Sequence, residues 1–467
     1  MLRDVRHTVT DGLLGLSGDQ GEGVHIKIGV SPVKSKGPII ITGTSTAAKM
    51  KEKLGLSPLA DSVMDSCENG AGKVICIPAG ASAKGTITEA ESKSEGTCSM
   101  TGEPYNVFSV KVEMTGKGGL NMAAFRYTTD GGASWSEDLT VPLSGEYELA
   151  GTGLKLTFAL DEGKSFAVGD SFSWTTTAPK LTGPDVLKAL DSLKHLNVEA
   201  EFVHIVGGMT PELWAAASEV QKEMAESYHK VFFFVLEAYE PEVGEEPEAY
   251  VERLKEDRKK VKNYDIQVVA ARGVYTGMDG LTRETNLAGL VCGFYAKTKV
   301  HKSIGETAVI SVQEGKLTLH PEGIEEHIGE LDESGYLTFR QYDGLAGYYV
   351  TNARMMSPEG SDYRYAEDVR VKNKIIRKTR LEALKQLQSE VDLSDIDGDL
   401  KAKAQFIQAP LENMVETGEI SAVQVDVPGG QDILKTETLE LVIRYVPRGT
   451  IREIVIDLGV NNPGAAS

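Results

Sequence analysis

Residues 128–135, TTDGGASW, follow the spacing Ser/Thr-x-Asp-x-Gly-x-Ser/Thr-Trp, which puts a carboxylate (Asp130), a glycine (Gly132) and an indole (Trp135) on one tight turn. The aspartate could serve as an acid, but the motif supplies no second reacting group. A hairpin suits these residues better: Asp130 accepts from turn N–H groups, Gly132 allows positive φ, and Trp135 packs beneath. Glu240, Glu242, Glu245, Glu246 and Glu248 could hold a hard cation weakly, yet Pro241, Gly244 and Pro247 among them mark a solvated loop. His204 lies in an apolar run, where a lone histidine is more simply a core residue than a catalyst. The cysteines (Cys67, Cys76, Cys98, Cys292) are far apart and form no C-x-x-C pair, so neither zinc nor a disulfide framework is suggested. With no nucleotide-binding glycine loop, metalloprotease helix or nucleophile elbow, the expectation is no catalytic, cofactor or metal site.

The strongest signal is electrostatic. Arg370, Lys372, Lys374, Arg377, Lys378, Arg380 and Lys385 stand against one anion, Glu382, in a chain of formal charge -20. Val369, Ile376, Ala383 and Leu387 recur at helical spacing, which predicts a helix over 366–388 with one apolar stripe and cations fanning over the rest. Such a helix is either a solvated face or a docking face for an acidic partner. Nucleic acid is excluded as a general partner, because phosphate binding needs a broad basic surface.

These features must be positioned by a chain of 467 residues, 41% hydrophobic and 25% charged, enough for two to four ordinary globular domains. No run of about 18 apolar residues occurs, so membrane insertion is not expected. The first residues lack the apolar core of a signal peptide, which predicts cytoplasmic synthesis and folding. Residues 1–27, glycine-punctuated with Leu13, Leu14 and Leu16 in short apolar groups, have little to bury alone and read as a flexible tail or a partner-ordered arm. Residues 39–41 and 73–78 read as buried strands with helices at 45–54 and 59–68 between them, which implies a right-handed crossover in an α/β layer. The layer resumes after residue 180, with strands at 200–207, 231–236 and 266–271 expected in the same sheet.

Residues 85–179 alternate in short segments between turns, the signature of a small inserted all-β sandwich. Strands return after 305 and carry the chain to the basic helix. Leu439, Leu441, Ile443 and Tyr445, then Ile454, Ile456 and Leu458, alternate with polar residues, so 436–467 reads as an arm of two amphipathic strands. The expected fold class is α/β (α+β), multidomain: a mixed sheet with flanking helices, an inserted all-β sandwich, and extended N- and C-terminal arms. The expected divisions are 1–27, 28–84 with 180–305, 85–179, 306–435 and 436–467.

The order of these pieces resembles contractile-tail sheath proteins of bacteriophages and phage-tail-like particles. The likeness is carried by Ile40-Ile41-Thr42-Gly43 with residues 45–55, 59–67 and 73–78 around Glu68-Asn69-Gly70. Asn286-Leu287-Ala288-Gly289 with Phe294-Tyr295-Ala296-Lys297-Thr298 is similar to a sheath helix, and Thr338-Phe339-Arg340, residues 348–352 and 363–370 lead similarly into the basic helix. Tyr445-Val446-Pro447 with residues 450–457 resembles the closing strand pair. Lys299-Val300 stands where sheath proteins usually have an acidic residue, which points to a divergent branch.

The resemblance implies a structural subunit, not an enzyme, that polymerises as stacked hexameric rings around an inner tube and contracts. Its partners would be further copies of itself, an inner tube protein with an acidic outer surface facing the basic helix, and a baseplate and tail terminator at the ends. Its place would be a virion tail or tail-like particle, assembled in the host bacterial cytoplasm. The terminal arms would add strands to neighbouring subunits and the sandwich would decorate the outside. Another tail component (tube, terminator or baseplate) is the alternative. A carbohydrate-active enzyme with a β domain is a more distant one, suggested by the 128–135 turn, which matches the Asp box known in sialidases but occurs once.

Overall fold

The computed structural model describes residues 21–94 and 96–460. They fall into two compact units: residues up to 300 with 304–373, and residues 301–303 with those from 374 on.

The first unit is organised by a six-stranded sheet. Its order is Ile266–Val269, Phe233–Ala238, Phe202–Met209, His25–Val30, Lys73–Ala79, Ile39–Thr42. All neighbours are parallel except the last pair. His25–Val30 lies in the middle of the sheet with every residue buried. The segment expected to be an arm through residue 27 is therefore sheet from His25 on. Lys27 and Gly29 face the helix Pro58–Glu68: Lys27 donates to Ser62 Oγ at 2.7 Å, and a Cβ on Gly29 would lie 3.2 Å from Leu59 Cβ. Glycine there lets the helix approach the strand closely.

Residues 39–42 and 73–79 run antiparallel, Ile39 opposite Cys76, rather than as the two ends of a crossover. Two helices, Ala47–Leu54 and Pro58–Glu68, lie between them. The parallel partner of Lys73–Ala79 is His25–Val30. The second helix starts at Ser57, whose hydroxyl accepts from Ala60 N, with Pro58 in the first turn. It packs against Ala288–Lys297, where a Cβ on Gly293 would lie 2.5 Å from the Ser66 carbonyl oxygen. Small residues four apart make that closeness possible.

Between residues 87 and 176 two further sheets form, Ile87–Lys93, Ser171–Thr176, Ser109–Gly116, Ala124–Thr128, Leu139–Thr140, and Thr97–Gly102, Leu154–Ala159, Glu146–Leu149. Alternate residues, among them Val110, Val112, Phe125, Leu156, Phe158, Phe172 and Trp174, build a core separate from that of the six-stranded sheet. Strands Arg272–Thr276, Thr282–Asn286 and Leu317–His320, and the hairpin Phe339–Tyr342 with Leu345–Val350, complete the strands of the first unit, which also holds the helices Gly183–Lys194, Pro211–Ser227 and Pro247–Arg258. The compact division thus falls after residue 373 rather than at 305.

The second unit holds the C-terminal part of the helix Ala366–Gln386, the helix Ile396–Glu416 and an antiparallel pair, Ala422–Asp426 with Val442–Val446. The first of the two strands expected in 436–467 is shorter than the alternation suggests: Leu439 and Leu441 precede it, and Ile443 and Tyr445 lie in it, opposite Val425 and Val423. Residues 447–460 contain no helix or strand, so Ile454 and Ile456 are not in the expected second strand. Their stretch has no neighbouring strand among the described residues to take its N–H and C=O groups.

Candidate functional site

One constellation has the residue types of an acid–base relay. Lys27 Nζ lies 2.8 Å from His204 Nδ1, and His204 Nε2 lies 3.0 Å from Glu237 Oε1, across three adjacent strands. Burial, reinforced by the Lys27 charge, holds His204 well below its ordinary pKa, so the imidazole is neutral. Neutral His204 accepts from the ammonium at Nδ1 and donates to the carboxylate through Nε2. Burial lifts Glu237 to about 7, against a backbone hydrogen bond from Gly207 and the charges of Arg272 and Lys27. Lys27 and His204 have no exposed surface, so no substrate atom can reach them. Lys27 and His204 are register partners in the parallel pair, and the chain of polar atoms acts as a register lock: a one-residue slip would bury each charge opposite carbon. His204 is a satisfied core residue. The role of Lys27 was hidden because its partners lie 35 and 177 residues away.

The basic helix divides in two. Arg370 is 1% exposed and forks onto Glu201, and Lys372 reaches Asp265 at 2.8 Å. Lys374 reaches Glu419 at 2.8 Å and is also buried. Arg370, Lys372 and Lys374, expected on an outward face, are turned inward, because carboxylates distant in sequence supply buried partners for them. Beyond Ile375 the helix opens: Arg377, Lys378 and Arg380 are half-buried, Lys385 is exposed beside Glu382, and Ile376, Leu381, Leu384 and Leu387 are exposed as well. The outer face is thus as apolar as it is cationic. Sequence periodicity had placed Ile376 and Leu387 on the inward stripe.

The turn at 128–135 is a hairpin between Ala124–Thr128 and Leu139–Thr140. Asp130 accepts from Thr128 Oγ1 at 2.6 Å and from Ser134 N at 2.9 Å. Burial opposes its ionisation, but the Ser134 and Thr128 hydroxyls and the Ser134 and Gly132 N–H groups outweigh it and hold the carboxyl near about 2. Gly132 has φ 114, and a Cβ there would lie 3.8 Å from Trp135 Nε1, while Arg126 covers the indole at 4.7 Å. Each polar group of Asp130 is thus committed to the turn.

In the acidic run, Glu240 meets Lys180 at 2.9 Å and Glu245 pairs with Arg253. Among the described residues no group of three or more His, Cys, Asp or Glu is placed to hold a metal ion. All four cysteines are free, and burial pushes the Cys76 thiol to about 12.

The C-terminal stretch is the opposite of the relay. Ile451, Ile454, Val455, Ile456 and Leu458 are all 77–92% exposed, on a segment with no secondary structure. The pair it follows has only two strands, each with an unpaired edge among the described residues. Apolar side chains, open backbone groups and a two-stranded sheet together can accept or donate a strand. Leu13, Leu14 and Leu16, assigned to the other arm, lie outside the described residues.

The N-terminal domain of the DUF2586 family matches residues 2–354 and its C-terminal domain residues 362–465. A curated protein of Haemophilus phage HP1, named "Putative tail sheath protein", is 26% identical over 125 residues, 26% of this chain. The match spans 32% of that protein's length. Among solved structures, the sheath complex of an extracellular contractile injection system in its contracted state has a TM-score of 0.55 at 11% identity, over 98% of both chains. The helical sheath of the anti-feeding prophage in its contracted state has a TM-score of 0.53 at 11% identity, again over 98% of both. At such identities these two are evidence of a shared fold.

Proposed function

We propose, from the premise that this chain belongs to the DUF2586 family, that it is the structural subunit of a contractile tail sheath in a phage or phage-tail-like particle. The observation that carries the reading is residues 451–458, an alternating apolar stretch left exposed beside an open two-stranded sheet. The name of the phage relative and the shared fold agree with it. In a helical polymer, that stretch would pair with a neighbouring subunit's sheet, and the main-chain hydrogen bonds would hold a mesh. Subunits would stack as hexameric rings around an inner tube, with baseplate and terminator at the ends. Contraction would move the subunit bodies as near-rigid blocks while the paired arms flex. The energy would come from surface buried between subunits, with no chemical step.

The tube-facing role falls to the outer part of the basic helix: Arg377, Lys378, Arg380 and Lys385 with Ile376, Leu381, Leu384 and Leu387. Exposed ion pairs are worth about 0.2–1 kcal/mol each, so the tube surface would need apolar ground as well as acidic groups. The sandwich, with its own core, would stand on the outside and be dispensable for assembly.

The test is negative-stain microscopy of the expressed full chain, where striated tubes are expected. Removing residues 448–467 should leave a folded monomer, judged by circular dichroism, that forms no tubes. Normal tubes from the truncated chain would overturn the arm assignment.

A further inference from the structure

Arg370 is the largest fully buried cation in the molecule's first unit, and its position answers a question about the N-terminal segment: where it becomes fixed. Its Nε binds Glu201 Oε1, and its Nη2 donates to Glu201 Oε2 at 3.1 Å and to the carbonyl oxygens of Tyr295 and Thr298 at 3.0 Å each. Glu201, with no exposed surface, accepts in turn from Gly23 N at 2.9 Å, and its own N–H donates to Val24 O at 2.8 Å. Gly23 has φ 68, and a Cβ there would lie 2.4 Å from the Ala296 carbonyl oxygen, so no other residue fits the slot. Two residues further on, the His25 ring stacks on Phe202 at 4.7 Å.

We infer that Arg370 and Glu201 form a buried clamp that seizes the chain at Gly23 and fixes the point at which the N-terminal segment leaves the sheet. The two are positioning residues. Helix 366–386, strand 202–209 and the end of helix 288–297 meet at that point, so tension on residues 1–20 passes to the centre of the six-stranded sheet rather than peeling its strand from one end. The clamp stands on the geometry alone; its use in assembly rests on the sheath reading.

The experiment uses the full chain and the double variant Glu201→Leu with Arg370→Met, which removes both members of the buried pair together rather than leaving one opposite an apolar side chain. Hydrogen exchange of the soluble monomer reads the clamp directly. The Gly23 amide is expected to exchange roughly 100-fold faster in the double variant, while amides of Phe233–Ala238 keep their protection. Equal protection of Gly23 in both proteins overturns the clamp. Tube assembly reads its use: the double variant should give at least about tenfold fewer tubes, and Arg370→Lys, which keeps the charge without the fork, an intermediate yield. Double-variant tubes of wild-type number and length overturn the role in assembly. Absence of tubes from the wild type fails the sheath reading instead, and the amide comparison still decides the clamp. If the double variant does not fold, Arg370→Lys, which loosens the fork that holds Glu201, takes its place: faster exchange at Gly23 than in the wild type is expected, and unchanged exchange overturns the clamp.

Discussion

His25–Val30 and residues 451–458, HIKIGV and IREIVIDL, both set apolar side chains among polar ones along an extended chain, and they meet opposite fates. The first is buried on both faces between two parallel neighbours, with Ile26 facing Ile75 on one side and Val203 on the other. The second is solvated from end to end, with Leu458 92% exposed. Alternation makes both competent to be strands; a hydrogen-bonding neighbour is what makes one of them a strand within this chain. A strand-like stretch left bare on a folded chain is a place where another chain is expected.

The comparison can be broken most severely at its buried end. Ile28→Asp puts an unpaired carboxylate into the centre of the sheet and should cost more than about 4 kcal/mol, seen as loss of the cooperative urea transition. A folded, soluble Ile28→Asp protein would mean that the strand is not as enclosed as its contacts require.

A smaller effect sharpens the same end. Burial raises Glu237 from 4.5 to about 7, so the folded state binds its proton more tightly than the unfolded state does. Stability from this group is full below pH 4.5 and lost as pH rises through about 7. Glu237→Gln removes that dependence, so relative to wild type it should gain up to about 3 kcal/mol between pH 5 and pH 8, measured by urea midpoints. A wild-type-to-variant difference that is the same at both pH values would show Glu237 to be solvated. His25 and His204, held below their ordinary range by burial, act in the opposite window and lose stability below pH 6.5.

The smallest effect on the monomer belongs to the exposed end. Ile456→Asp should change the urea midpoint by no more than about 0.5 kcal/mol, because that side chain is 79% exposed, and yet it should abolish tubes. Tubes at wild-type yield would mean that this stretch does not pair between subunits.

Much of the architecture was legible from residue order. Runs of β-branched and aromatic residues marked Phe202–Met209, Phe233–Ala238 and Lys73–Ala79. Short alternation with turns marked the sandwich. What escaped was the strand His25–Val30, whose His25 and Lys27 look like surface residues until Ser62 and His204 are seen beside Lys27. The direction of residues 39–42 escaped too, since periodicity reports which face is apolar and says nothing about which strand lies alongside.

The basic helix separates the two kinds of knowledge most clearly. Sequence alone determined that 366–386 is helical, that it is rich in cations, and that the last residues of the chain favour an extended form. Only the tertiary structure decided that Arg370 and Lys372 are internal while Lys385 is not, and that residues 451–458 are exposed and lie in no strand. The reason is that burial of a charge depends on a carboxylate opposite it, and Glu201 and Asp265, 169 and 107 residues from their partners, are brought there by the fold.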